Sequence, residues 1–534
     1  MDRRGFIKLS AALTGAGSYL LSCTPSPKKI NGKIVGASAN IGHLLRDKKI
    51  TAPTSAIQKQ IVIVGGGISG LSAGWYLQKQ GVTDFVILDL EATAGGNAAY
   101  GSNAVSAYPW GAHYIPTPNN NLKEYLGFLQ EAGVITAISK EGIPTYNERF
   151  LCFDPQERLY INGQWQDGLV PHFGVPDEEV KQINRFMLMM DRYRQLKDKS
   201  GKDVFAIPVN DSSTEEEYIA LDKITMEQWL QSQQLTSAYL HRYVNYCCRD
   251  DFGTPADRIS AWTGIHYFAS RKGKGTNAEH GDVLTWPEGN GFLAGHLQMN
   301  IKAQVLTNAL GTQIINTPNG VTINYIDTVS HKTTAIEAKQ CIIAVPQFVA
   351  ARLLHDDERL KQVHAHLQYS PWMVANLQVN KLEERSGAPL SWDNVIHESK
   401  SLGYVEANHE LLQQDSIRKN LTYYFPLTDQ SPAEERKQAQ ARTHGQWVKL
   451  ILDDLRKVHP NIEKATENID IMLWGHAMAQ PLPGIIHGEI RKQLAASIDN
   501  KIHFAHTDLA GISIFEEGFY QGIGAAKKVN SLLS

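Results

Sequence analysis

Hydrophobic positions in this chain fall into short continuous runs and helical stripes. The run Ile61-Val62-Ile63-Val64 is apolar at every position, which predicts a strand covered on both faces, as in the middle of a parallel sheet. It stops at Gly65-Gly66-Gly67-Ile68-Ser69-Gly70, after which Leu71, Ala73, Gly74 and Leu77 recur with helical spacing up to the breaker Gly81. A second run, Phe85-Val86-Ile87-Leu88, ends at Asp89. Strand, glycine turn, helix and strand thus make one α/β unit. Further along, Cys341-Ile342-Ile343-Ala344-Val345 reads as another apolar strand stopped by Pro346. Gly518, Gly522, Ala525 and Ala526 share one face of a helix that admits a close neighbour. Residues 120 to 260 alternate helical patterns, such as Glu178 to Lys197, with loops, and the charges there read as solvated faces.

The N-terminus has a different pattern. Arg3-Arg4-Gly5-Phe6-Ile7-Lys8 precedes a moderately apolar stretch from Leu9 to Leu21, about 13 residues against the roughly 20 that span a bilayer. A charged start, a short apolar middle and Ser22 before Cys23 make a signal peptide. The paired arginines resemble a twin-arginine export signal, and Leu20-Leu21-Ser22-Cys23 resembles a lipoprotein box. Lipid on Cys23 would be the chain's sole membrane attachment and implies the bacterial envelope or periplasm. Residues 23–57, with Pro25, Pro27 and Pro53, read as a tether.

Composition narrows the classes. The chain has 534 residues, 42% hydrophobic and 20% charged, with 52 basic against 55 acidic side chains for a net charge of −3. This is a globular composition with a core of several domain-sized units, and bulk charge argues against nucleic-acid binding. The five cysteines include no CxxC pair and no Cys/His spacing suited to zinc, so neither a disulfide scaffold nor a metal site is expected. Cys341 and the neighbours Cys247-Cys248 read as packing residues. No fixed-period repeat is present.

The glycine turn carries the strongest chemistry. Gly65 suits a tight turn, Gly67 lets the backbone approach a pyrophosphate, and Gly70 lets helix and strand pack closely. The helix start, with Ser69 in its first turn, offers free N–H groups to the phosphates. Asp89, about 19 residues beyond Gly70, stands where an acid binds a ribose hydroxyl. Together these features predict a dinucleotide site.

Beyond Asp89 the chain reads Gly95-Gly96-Asn97 and then Trp110-Gly111-Ala112-His113. With these segments the chain resembles the amine-oxidase-like FAD superfamily, which includes monoamine and polyamine oxidases, protoporphyrinogen oxidase and phytoene desaturases. The resemblance implies non-covalent FAD, with Gly95, Gly96, Gly111 and Ala112 passing beside the flavin. Asn97 stands where the family usually has Arg. Ala338 to Pro346 is similar to the strand that closes the family's FAD domain. Phe504-Ala505-His506-Thr507-Asp508 and Phe515-Glu516-Glu517-Gly518 are similar to its last motif, which implies that Asp508 supplies an acid to the cofactor and that a helix holding Gly518 runs beneath the pyrophosphate. The expected fold is α/β, a Rossmann-type FAD-binding domain assembled from three chain segments (58–118, 266–346 and 485–534) with an inserted α+β substrate domain (347–484) and a helical substrate region (119–265), behind a signal peptide (1–22).

The resemblance also frames the reaction. Thr285 occupies the place of a lysine that holds a water beside the flavin in many family members, and the second cage aromatic is missing at Pro483-Gly484. Trp286, Trp474 and Phe515 are the expected pocket walls, and His476 and His113 the candidate acid–base groups, with Glu406 and His409 further residues that could face the substrate. The leading expectation is hydride transfer from a small amine, including polyamines, to FAD. A desaturase or dehydrogenase of an apolar substrate, and a flavin electron carrier without turnover, stay open beside it, as does the electron acceptor.

Overall fold

The computed structural model describes residues 30–47, 52–411 and 417–533; the signal, the lipobox and Cys23 lie outside them. The apolar run at Ile61 is the inner end of a ten-residue strand, Ser55–Val64. It pairs in parallel with Phe85–Leu88 on one side and with Thr333–Ile343 on the other. Val305–Leu306 and Ile502–Phe504 extend the parallel set at either edge. The outer half of Thr333–Ile343 carries an antiparallel arm, Gly320–Asp327 and Ala309–Thr317. Strands from three distant stretches of chain therefore form one Rossmann-type sheet, as expected. Helices Ile68–Lys79 and Phe515–Leu533 cover one face, and Gln347–Leu353 and Asp357–His366 pack on the other.

The small-residue face of the C-terminal helix does what its pattern predicts. A Cβ on Gly522 would lie 2.1 Å from the Ser69 carbonyl oxygen, and one on Gly518 would lie 3.5 Å from Ile68. At Gly522 only glycine lets these two helices approach so closely, whereas a Cβ at Gly518 would make ordinary contact.

The second layer is an eight-stranded sheet centred on the long strands Tyr369–Asn380 and Thr466–Ala479, which pair antiparallel. Arg418–Pro426, Tyr404–Glu406, Asp393–Ile396, Glu157–Ile161 and Gln164–Asp167 complete it on one side. Helices of residues 177–269 bury an apolar cluster against this end, with Phe186, Trp229 and Trp262 at its centre. An aromatic cluster packed on the eight-stranded sheet contains Trp110, Trp372, Trp392 and Tyr424, with Trp474 against it.

Part of the expected tether is folded. Ile34–Gly36 pairs in parallel with Ile471–Leu473, and the Ser38 amide and hydroxyl each donate to the Glu91 carboxylate at 2.8 Å. A run too short to register as a strand on its own is held by the long edge it meets. Among the described residues no helix is long and apolar enough to cross a membrane.

Candidate active site

The glycine turn forms an open cradle. Gly65 has φ +109°, and a Cβ there would press into the Ala344 carbonyl at 2.4 Å. A Cβ on Gly70 would fall 1.8 Å from the Gly65 carbonyl oxygen, so strand and helix close on glycine alone. Gly67, by contrast, has nothing within 4 Å of its Cβ position, which points into the groove. It begins helix Ile68–Lys79 without a side-chain cap, leaving the first-turn amides to a ligand. The neighbouring loop is laced to the cradle by the Gly95 amide, which donates to the Gly66 carbonyl at 2.8 Å. Asp89 accepts from the Gly66 and Glu91 amides, both at 2.8 Å, and burial pushes its carboxyl up to about 6. A cradle a Cβ would fill, an uncapped helix start and an acid at the second strand's end fit the pyrophosphate and ribose of a dinucleotide.

Beyond the cradle, three loops meet. The Ala112 amide donates to the Asn97 carbonyl at 3.1 Å, Asn97 Nδ2 to the Ala477 carbonyl at 2.6 Å, and Trp474 Nε1 to the Trp110 carbonyl at 2.6 Å. They bound a cavity of about 160 Å³ lined by Asn97, Gly111, Ala112, Trp474 and Phe515 among others. Trp372 and Tyr424 add aromatic wall, and the Tyr424 hydroxyl is fixed on the Gly111 carbonyl at 3.0 Å. Three carboxylates and one guanidinium also reach it: Asp250, Asp251, Glu516 and Arg271. Arg271 Nη2 donates to both oxygens of Asp251 at 2.7 Å. Asp250 Oδ2 accepts from the Tyr114 hydroxyl at 3.4 Å. Burial pushes the carboxyls of Asp250 and Glu516 each up to about 7, and Asp251 beside Asp250 adds to its rise.

A family profile described as an NAD(P)-binding Rossmann-like domain matches residues 63–129, the cradle and its sequel. Among solved structures, a putrescine oxidase bound to putrescine superposes with a TM-score of 0.65 at 16% identity, over 89% of this chain and 100% of that one. The fold is that of the FAD-dependent amine oxidases. Cyclohexylamine oxidase from Brevibacterium oxydans is similar at a TM-score of 0.62 and 15% identity, covering 89% of this chain and 99% of that one. A fatty acid isomerase from P. acnes has the same architecture, at 0.61 and 15%, covering 88% and 98%. No curated protein matches the chain. The amine-oxidase fold thus hosts more than one reaction among these neighbours, and the site has to argue the chemistry.

Within the amine-oxidase fold the structure brings together the cradle glycines, Ser69, Asp89 and the cavity residues Asn97, Gly111, Ala112, Trp474 and Phe515. Three expected residues lie elsewhere. Trp286 is 4% exposed and stacks on Phe292 at 4.9 Å in the core behind the cavity. His476 is turned outward onto Phe348, within a bulge where Gly475, His476 and Ala477 together oppose the single residue Pro371 and the regular pleat is interrupted. Asp508 is buried, with Oδ2 accepting from the Gln347 amide at 2.8 Å and the Tyr369 hydroxyl at 2.6 Å and His506 3.1 Å from its other oxygen. It ties three segments together and presents no carboxylate to the groove. Its neighbour Thr507, beside Gly518, is nearer the cradle helix.

Other candidates sort by environment. His113 lines the cavity, stacks on Tyr424 at 4.5 Å and is pushed down to about 3 by burial, so it stays neutral. Thr285 donates to the His113 carbonyl at 3.1 Å. Glu406 pairs with Lys419, and His409 Nε2 lies 3.0 Å from the Phe153 carbonyl; neither lines the cavity. Cys152, His409 and Glu410 come within 4.8 Å of one another, and burial and the Glu410 charge hold the Cys152 thiol protonated. Cys247, Cys248 and Cys341 are buried. Asp250, Asp251, Arg271, Trp372 and Tyr424 had no local sequence signal; the adjacent acids in the last turn of a helix, where the helix dipole disfavours them, were the one available hint.

Proposed function

We propose that this chain is a FAD-dependent oxidoreductase that oxidises a small amine, with FAD held non-covalently along the Gly65–Gly70 cradle. The observation that carries this reading is the pairing of aromatic walls with the carboxyls of Asp250 and Glu516 in one cavity beside the cradle loops. Buried carboxylates are costly unless a cation joins them. An alkylammonium supplies that charge, and the faces of Trp372, Tyr424 and Trp474 favour it further. An apolar chain would desolvate the carboxyls of Asp250 and Glu516 without bringing a cation to them, which disfavours the desaturase reading.

Bound in the cradle, FAD supplies the acceptor for the electron pair that leaves the carbon beside nitrogen. The chain's own residues hold and enclose. The amides of the first helical turn would hold the pyrophosphate, and Gly95–Asn97 and Gly111–Ala112 would hold the ring system. Trp474, Phe515 and Tyr424 orient the substrate and exclude water, with neutral His113 as part of the wall. A concave cavity walled by aromatic and charged side chains also favours an enzyme over a bare electron carrier. We read the N-terminal signal as export by the twin-arginine route and lipid anchoring at Cys23.

The test is an anaerobic panel of monoamines, diamines, amino acids and polyenes added to the purified flavoprotein, following the oxidised-flavin band. Bleaching by an amine supports the proposal. Bleaching by polyenes alone, or by nothing in the panel, rejects it.

A further inference from the structure

Helix Ala238–Phe252 ends in two adjacent acids that the structure treats differently. The left-handed Gly253, φ +57°, stops the helix so that both acids fall in its last turn. Asp251 is paired with Arg271, whose Nη2 donates to both of its oxygens. Asp250 lines the cavity and is half-buried there, with the Tyr114 hydroxyl 3.4 Å away. We propose that Asp250 is the base that removes a proton from the substrate's ammonium group before oxidation. The inference rests on the amine reading above and names the residue that makes the bound cation reactive.

An alkylammonium has no lone pair to assist loss of hydride from its α-carbon, so one N–H proton has to leave first. The N–H bond breaks, an O–H bond forms on the Asp250 carboxylate, and the electron pair stays on nitrogen as a neutral amine. Charge balances within the pair: carboxylate and ammonium become carboxylic acid and amine.

The groups around Asp250 divide by what they can do near neutrality. Tyr114, Tyr246, Tyr267 and Tyr424 are all held as neutral phenols by burial. Asp393, from strand Asp393–Ile396, is raised well above the usual carboxylate range by burial and by Asp250 itself, and accepts from the Tyr246 hydroxyl at 3.3 Å. Glu157, on the next strand, is raised by burial, and buried Cys247 stays a thiol. Asp250 and Glu516 are cavity-lining carboxyls that burial raises to about 7, whereas Asp393 and Glu157 lie outside the lining. Glu516 is only 2% exposed, whereas Asp250 presents accessible surface to the cavity.

The experiment uses the FAD-loaded full chain. tert-Butylammonium, which has no α-hydrogen and cannot be oxidised, probes binding by calorimetry; stopped-flow reduction of the flavin by an oxidisable primary amine, from pH 5.5 to 9, probes the proton step. The expected result is a wild-type reduction efficiency that rises as pH passes about 7. Asp250→Asn should reduce flavin about a hundredfold more slowly, lose the inflection and bind tert-butylammonium about tenfold more weakly, with flavin content unchanged. Asp250→Glu should restore part of the rate, and Glu516→Gln should keep the inflection. The proposal is overturned if Asp250→Asn reduces within threefold of wild type with the inflection intact, or if Glu516→Gln abolishes the inflection. If no primary amine reduces the wild-type flavin at any pH, the amine reading itself has failed, an outcome distinct from a wild type and Asp250→Asn that are reduced alike.

Discussion

The cradle and the cavity are neighbours, yet they are built in opposite ways. The cradle is mostly backbone from one stretch: glycines at 65, 67 and 70, the amides around them, and Asp89 bound to the Gly66 amide. The cavity is side chains from many stretches, among them Tyr114, Asp250, Arg271, Trp372, Tyr424, Trp474 and Phe515. A phosphate site needs N–H groups at fixed spacing, which a short loop can supply. A substrate site needs shape and charge, which long-range packing supplies. Changes in the cradle should therefore act on cofactor retention or on folding, and changes in the cavity on substrate.

The sharpest way to break that division is at two glycines of the same helix pair. Gly67→Val adds a side chain to open groove, so flavin retention should fall by about a hundredfold or more while circular dichroism and thermal unfolding stay near wild type. Gly522→Val instead drives a side chain into the Ser69 carbonyl and should cost about 3 kcal/mol of stability. Wild-type flavin content in Gly67→Val would undo the cradle assignment.

A cavity residue should do the reverse. Trp474→Ala removes an aromatic wall and the hydrogen bond to Trp110; flavin content should hold while the KM for amine rises about tenfold, measured by steady-state kinetics.

Charge gives a smaller effect with a sign. Folding raises the Asp250 carboxyl from 3.8 to about 7. Its contribution to stability is therefore complete below the ordinary value and is lost as pH rises through about 7. Asp250→Asn should leave stability unchanged at pH 4 and, without substrate, raise it by about 1 kcal/mol at pH 8, read from urea unfolding at both pH values. The smallest effect belongs to Trp286→Phe. Its indole N–H is buried without a partner and it lies outside the cavity, so KM should not move and stability should change by no more than about 1 kcal/mol.

The same division explains what was legible. The Rossmann sheet from three segments, the cradle and the close helix pair at Gly518 and Gly522 could all be read, because strand runs, glycines and small-residue faces are local signals. Trp286 was misread because an aromatic beside a glycine-rich turn looks the same whether it faces a pocket or the core. His476 was misread because the bulge opposite Pro371 cannot be seen in one strand alone. Asp508 was assigned to the cofactor from its place after a strand, while Gln347 and Tyr369, more than a hundred residues away, claim it. Asp250 went unnoticed because Arg271, which separates its role from that of Asp251, and Tyr114, its partner, come from other elements.

The most direct test of an amine-oxidising, cation-selecting cavity is anaerobic flavin reduction by n-butylamine compared with n-butanol, which matches it in length and lacks the charge. The account predicts bleaching of the oxidised band by the amine and none by the alcohol at equal concentration. Equal bleaching by both, or bleaching by neither, would contradict it.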